Sequence, residues 1–313
     1  MGSAEVKKLS PGLKTLKRSI NLHWELYLIL IVPVSLTVLF HYVPIYGVQI
    51  AFREFRPTRG IWGSEWVGLK YFKQFVSSPA FWRVVGNTLR VSLSTMVISF
   101  PFPILLAIML NEARVQWFKR TVQMATYAPY FISTVVLSGI VLSILDVRVG
   151  LVNHIISAFG FERIQFMARP SMFLPAYITS SIWQGTGYSS VIYIAALTAI
   201  SPELHEAAIA DGASRLKRLW HIDLPGIIPT ITILTILSFA SVISVGFERV
   251  FTLQNDINRA SADVISTYTY RLGIQQRNYS FTTAVGFTNS LVNTFIFVSV
   301  NQLAKKFGET SLW

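Results

Sequence analysis

Six stretches of the chain contain no Asp, Glu, Lys or Arg: 26–52, 91–111, 121–145, 170–202, 224–247 and 278–304. Together they make up about half of the 313 residues. A helix needs about 20 mostly apolar residues to cross a bilayer, and every one of these runs is long enough. The pattern predicts an all-α integral membrane protein with six transmembrane helices, at 27–46, 91–110, 124–145, within 174–200, 227–245 and 281–303. Pro33, Pro44, Pro101, Pro103, Pro129 and Pro175 fall inside the runs. Membrane helices tolerate such prolines as kinks. Each proline either shapes a path or reflects irregular packing.

The connections between the runs carry the polar residues. The one between the first two runs is long, and within it 66–82 reads as a short amphipathic helical segment interrupted near Pro79. Its Trp66, Tyr71, Phe72, Phe75, Phe81 and Trp82 suit a membrane interface or a lid. The connection over 246–280 is long and mixed-polar, fit to touch a partner outside the membrane.

Charge orients the expected spans only in part. Thirteen bases fall on the side of the termini and fourteen on the other. Lysine alone splits eight to two in favour of internal termini, and Lys7, Lys8, Lys14, Lys17 and Arg18 cluster at the N-terminus. The positive-inside rule then places both termini in the cytoplasm. The expected organisation is a cytoplasmic segment over 1–26, a transmembrane domain over 27–303 and a cytoplasmic tail over 304–313.

Composition removes several classes of function. Charged residues make up only 13% and apolar ones 52%, which excludes a disordered chain. The net charge of +12 comes without any nucleic-acid-binding pattern. The bases are instead expected at anionic membrane lipid. The chain has no cysteine. His23, His41, His154, His205 and His221 have no metal-ligand spacing, so no metal site is expected. No ionisable residue sits mid-span, which argues against a proton or sodium relay. There is no Gly-x4-Gly-Lys-Ser/Thr phosphate loop, and no acid pair or nucleophile–base arrangement. No catalysis is expected on this chain.

The most informative segment is 203–225, a connector on the side of the termini. Its first residues have helix-forming composition, and Pro202 suits the first helical position. Gly212 allows a turn that a side chain would resist, and 215–220 can form a second short helix. Ala207 and Ala208 offer a low, close-packing surface, with Glu206 as one charge on it. Such a helix–turn–helix suits docking into a groove on a partner.

Glu206-Ala207-Ala208, Gly212, Ile222 and Leu224-Pro225 stand at the spacing of the signature loop of binding-protein-dependent ABC importer permeases. The chain resembles that family, and within its maltose-type (carbohydrate uptake) members the polysaccharide and complex-oligosaccharide branch. Further patches carry the likeness over most of the chain. They are Pro44-Ile45-Tyr46-Gly47, Gln49-Ile50-Ala51-Phe52, Trp66-Val67-Gly68, Asn87-Thr88-Leu89, Ala128-Pro129-Tyr130-Phe131-Ile132-Ser133, Trp183-Gln184, Asp211-Gly212-Ala213, Gly246-Phe247-Glu248, Thr267-Tyr268, Tyr270-Arg271 and Ser311-Leu312-Trp313.

The resemblance implies a type I ABC importer permease fold in the bacterial cytoplasmic (inner) membrane. It implies a second homologous permease, two cytoplasmic ATP-binding subunits holding ATP and magnesium, and an extracytoplasmic solute-binding protein. This chain itself would hold no cofactor. Glu206, Ala207, Ala208, Asp211, Gly212, Ile222, Leu224 and Pro225 would couple it to the ATPase.

An oligosaccharide path needs aromatic platforms and placed hydrogen-bonding groups. Candidates are Trp183, Gln184, Tyr188, Glu248, Asn289 and Asn293. Asn289 and Asn293 share a helical face and serve either solute or interhelical hydrogen bonding. Glu248 with Arg249 forms an ion pair, contacts the binding protein or meets solute. Arg59, Arg148, Arg169, Arg259 and Arg271, on the outer connections, either steer an anion or pair with lipid headgroups. The expected cargo is a uronate-containing oligosaccharide of alginate or pectin type. A neutral oligosaccharide or another small solute is the alternative, and an ATP-independent carrier a further one.

Overall fold

The computed structural model describes residues 22–306. The N-terminal basic cluster and Ser311-Leu312-Trp313 lie outside the described residues. The chain divides into two compact units, Met1–Gly68 and Leu69–Trp313.

In the first unit, α1 (Trp24–Thr37) runs through a π-turn at Val38–Tyr42 into a 3-10 segment at Val43–Phe52. The chain then forms an antiparallel hairpin of β1 (Arg53–Arg56) and β2 (Gly60–Trp66), with Arg53 opposite Trp66 and Glu54 opposite Glu65. The Arg53 guanidinium lies over Trp62 and Trp66, 5.6 and 5.5 Å from the ring centres. It also donates to the Ser64 carbonyl at 2.9 Å. The hairpin corrects the expected helix over 66–82. Trp66 ends a strand, and the helix is α2 (Lys70–Val76) alone.

In the second unit, α3 (Phe81–Ser99) and α4 (Pro101–Glu112) follow. Then α5 (Gln116–Tyr127) leads through a 3-10 turn at Ala128–Phe131 to α6 (Thr134–Ile144). The chain bends by 106° between Gln116–Phe131 and Thr134–Ile144. Ser133 caps the new helix by accepting from Val136 N–H, so the run 121–145 is broken rather than straight.

After α7 (Leu151–Ala158), the 26-residue α8 (Phe173–Thr198) packs against α3, α4, α5 and α6. Then come α9 (Pro202–Ala210), α10 (Arg215–Arg218) and α11 (Leu224–Phe239). Three short helices follow, α12 (Phe247–Leu253), α13 (Arg259–Ala262) and α14 (Ile265–Tyr270), before α15 (Tyr279–Lys306). Two apolar clusters hold the unit together. One joins Val91, Leu137, Phe173, Tyr177, Val250 and Val264, the other Ile104, Ala107, Tyr193, Leu197 and Ile227.

The expectation of six crossing helices is corrected. Among the described residues four helices are long and apolar enough to cross a membrane: Trp24–Phe52, Phe81–Glu112, Arg215–Phe239 and Tyr279–Lys306. A fifth counts only if the bent pair is one span. Helix α8 falls short because a charge-free run is not the same as an apolar one. It carries Thr179, Ser180, Ser181, Gln184, Thr186, Ser189 and Ser190. Several of these hydroxyls bond back to the helix's own carbonyls, Thr179 to Pro175, Ser181 to Tyr177 and Ser190 to Gly187. Gly187 lets α8 lie directly on α5. A Cβ there would meet the Thr126 carbonyl oxygen at 2.1 Å.

Candidate functional site

The segment 201–225 is built from local signals. Pro202 stands in the first turn of α9 with Glu203 beside it, where an acidic side chain suits the positive end of the helix dipole. Gly212, at φ +75°, ends the helix. Gly212 and Ala213 donate to the carbonyls of Ile209 and Ala208 at 3.0 and 2.8 Å. This is a left-handed cap that glycine adopts without steric penalty. Ser214 caps α10 by accepting from Lys217 N–H at 3.4 Å. A π-turn at Leu219–Asp223 runs straight into α11, which has Pro225 in its first turn.

Glu206, Ala207, Asp211, Gly212 and Pro225 are exposed, while Ala208, Ile222 and Leu224 are half-buried. Leu204, Ile209, Leu216 and Trp220 are each more than half exposed on the same short segment. Beneath them, His205 Nε2 lies 3.4 Å from Oδ1 of Asp223, whose side chain is buried. The sequence suggests surface roles for His205 and His221. His221 is exposed, its Nδ1 2.8 Å from the Lys217 carbonyl, whereas His205 turns inward.

The residues expected along a solute path separate into distinct environments. Trp183 is 43% exposed on α8. Tyr188 stacks on Tyr130 with ring centres 3.8 Å apart and planes within 6°. Gln184 donates to the Ile132 carbonyl at 2.9 Å, and its carbonyl oxygen accepts from Arg249. Arg249 also donates to Ser181 Oγ and lies 5.5 Å from the Tyr177 ring centre.

Glu248 is exposed and forms no ion pair with Arg249. Neighbours in a helix point in different directions. Asn293 accepts from Ile243 N–H at 3.1 Å and donates to Ser244 Oγ at 3.0 Å, stitching α15 to the turns after α11. Asn289 Oδ1 is buried with no hydrogen-bond partner among the described residues. The two asparagines share a helix face but not a role.

A buried carboxylate organises the loops beyond α11. Asp263, fully buried, accepts from both Arg271 amino groups at 3.2 and 2.6 Å and from Thr267 Oγ1 at 3.0 Å. Arg83 stands 3.9 Å away. Asn87 donates to the main-chain carbonyls of Ala260 and Asp263. Sequence reading misses this clasp: Thr267 and Arg271 stand only 4 and 8 residues from Asp263, but Asn87 joins them from 176 residues away. On a neighbouring connection, Asp146 caps a turn by accepting from the N–H groups of Val149 and Arg148. Those bonds hold its carboxyl below the usual range. No group of three or more metal-ligating side chains occurs among the described residues.

Long apolar helices, with an exposed short helical pair leading directly into one of them, describe a membrane-embedded protein built to engage a partner at its surface. The chain belongs to the binding-protein-dependent transport system inner membrane component family, whose pattern matches residues 99–309. It is 43% identical over 288 residues to the polygalacturonan/rhamnogalacturonan transport system permease protein YteP of Bacillus subtilis (strain 168), covering 92% of this chain and 90% of that protein. It is 40% identical over 288 residues to protein LplB of the same organism, covering 92% of this chain and 91% of that protein.

A solved chain of a bacterial ABC transporter involved in the import of the acidic polysaccharide alginate superposes with a TM-score of 0.85 at 37% identity, covering 93% of this chain and 99% of that one. The protein is thus a multi-pass inner-membrane permease subunit of an ABC-type oligosaccharide importer and is not itself an enzyme. ATP hydrolysis resides on partner ATP-binding subunits. A second permease and a solute-binding protein complete the system.

Proposed function

We propose that this permease carries uronate-containing oligosaccharides, of the alginate or pectin type, into the cytoplasm by alternating access. The observation that carries this reading is the likeness, at 37% and 43% identity over nearly the whole chain, to permeases of an alginate importer and of a polygalacturonan/rhamnogalacturonan system. Both of those polymers are acidic. Both termini and the 203–225 loop lie in the cytoplasm in this reading, supported by Lys119, Lys217, Lys305 and Lys306 against Lys70 and Lys73 on the opposite side.

Glu206, Ala207, Ala208, Asp211, Gly212, Ile222, Leu224 and Pro225 form the ATPase-docking element. The exposed Leu204, Ile209, Leu216 and Trp220 supply the apolar surface that a partner groove would cover. Closure of the ATP-binding subunits then pushes this element, and its direct continuation into α11 passes the movement to the bundle. Trp183, Gln184, Tyr188, Glu248, Asn289 and Asn293 are the proposed solute-path residues. Asn289 has the strongest support because its buried amide oxygen has no hydrogen-bond partner among the described residues.

The test is ATP hydrolysis by the complete complex in lipid with its binding protein. Uronate oligosaccharides should stimulate it and neutral ones of equal length should not. Stimulation by neutral sugars alone would replace the acidic cargo with a neutral one. The 30% identity over 226 residues to an arabinooligosaccharide permease of Bacillus subtilis favours that second reading.

A further inference from the structure

At the end of α11 away from the 203–225 loop, a cavity of about 380 Å³ opens among α12, α14 and the turns beside them. One wall is aromatic. Phe251 and Tyr270 meet edge to face with ring centres 5.3 Å apart, and Phe247 packs on both. The amides of Gln254 and Gln275 and the guanidinium groups of Arg259 and Arg271 line it further, with Asn255, Asp256 and Thr267 beside them.

The two guanidinium groups differ in how firmly they are paired. Arg271 is held by the buried carboxylate of Asp263. The bidentate pairing fixes the Arg271 guanidinium in place. Arg259 is paired only with Asp256 on the rim, where both side chains are exposed. An exposed pair of this kind contributes little and exchanges partners readily. The cavity therefore holds one locked ion pair and one releasable cation, Arg259, beside an aromatic face and the amides of Gln254 and Gln275.

We propose that this cavity is a reception subsite for one uronate unit of an acidic oligosaccharide, on the outer side of the permease. The inference rests on the acidic-cargo reading above. A pyranose ring presents a C–H face to Phe251 and Tyr270. Its hydroxyls match Gln254 and Gln275, and its carboxylate displaces Asp256 from Arg259. A phosphate headgroup would use the arginines but leave the aromatic wall and the amides unmatched.

Asp256 gives the subsite a distinctive signature. It competes with the ligand for Arg259, so the two rim substitutions should act in opposite directions. The experiment is equilibrium binding of a uronate trisaccharide, and of a neutral trisaccharide, to the assembled permease–ATPase complex in lipid nanodiscs without the binding protein. Arg259→Gln should weaken uronate binding by roughly threefold to tenfold, and Asp256→Asn should tighten it by a similar factor. The neutral sugar should respond to neither. Phe251→Ala should weaken the uronate and leave its salt dependence unchanged.

Both rim side chains are exposed, so a thermal melt checks that the variants remain folded. If the complete complex hydrolyses ATP in response to uronates, yet the nanodisc complex binds none or both variants shift binding the same way, the subsite is wrong and the cargo reading stands. If uronates stimulate no hydrolysis in the complete complex, the cargo reading fails and takes this inference with it.

Discussion

His205 and Asp223 meet across the turn of the 203–225 loop, Nε2 to Oδ1 at 3.4 Å, with the carboxylate buried and the imidazole partly exposed. The contact joins the first short helix to the residue immediately before α11. Force applied to α9 thus reaches α11 through a side-chain brace as well as along the backbone. His205→Ala should uncouple the complex, raising ATP hydrolysis in the absence of cargo relative to transport. The contact is a 3.4 Å approach and not a hydrogen bond, so the substitution should lower stability by no more than about 1 kcal/mol. Unchanged coupling together with an unchanged melting temperature would remove the brace from the account.

Glu206 stands exposed beside Ala207 on the same helix. Glu206→Lys should leave the permease folded and inserted while preventing its co-purification with the ATP-binding subunits. Normal assembly with cargo-stimulated hydrolysis would show that the docking surface lies elsewhere.

Gly187 carries the crossing of α8 over α5. A methyl group there would stand 2.1 Å from a backbone oxygen, which cannot swing aside as a side chain does. Gly187→Ala should lower stability by about 1–3 kcal/mol through overpacking. A melt of the purified subunit in detergent reads this directly, and a wild-type midpoint would show that the helices separate without penalty.

The two asparagines of α15 should behave differently. Asn293→Leu leaves the buried Ile243 N–H without its acceptor. It should destabilise the protein by about 1–3 kcal/mol. Asn289→Leu removes an oxygen that has no hydrogen-bond partner among the described residues. It should leave stability near wild type while changing transport rate or selectivity. Parallel melts and uptake assays decide between these roles, and an Asn289→Leu variant with normal uptake would take that residue off the solute path.

The sequence is easiest to read where a signal is local. Pro202 and Gly212 mark the two ends of α9, and the helix lies where they direct, while the second short helix, expected over 215–220, gives way to a π-turn after Arg218. The crossing helices are harder to read. Charge-free runs locate them, but α8 shows that hydroxyls, glycines and an amide make a run uncharged without making it apolar. The Arg53 hairpin is hidden because its aromatic residues satisfy a helical pattern equally well. The Arg249 cluster and the Asn87 arm of the Asp263 clasp leave no trace in spacing, since their partners lie 65 and 68 residues away in one case and 176 in the other.

The Asp263 clasp also sets an order in time. Asn87 and Arg83 sit near the start of α3, and the carbonyl that Asn87 reaches belongs to a residue 176 positions later. At roughly 5–20 residues per second of synthesis, the ribosome needs about 9–35 seconds to deliver it. During that interval α3 is made but the carbonyls of Ala260 and Asp263 and the Asp263 carboxylate are not, so the clasp closes only when residues 260–271 arrive. A chain halted before that point would expose an unclasped helix end to quality-control proteases, whereas a chain halted after it would not.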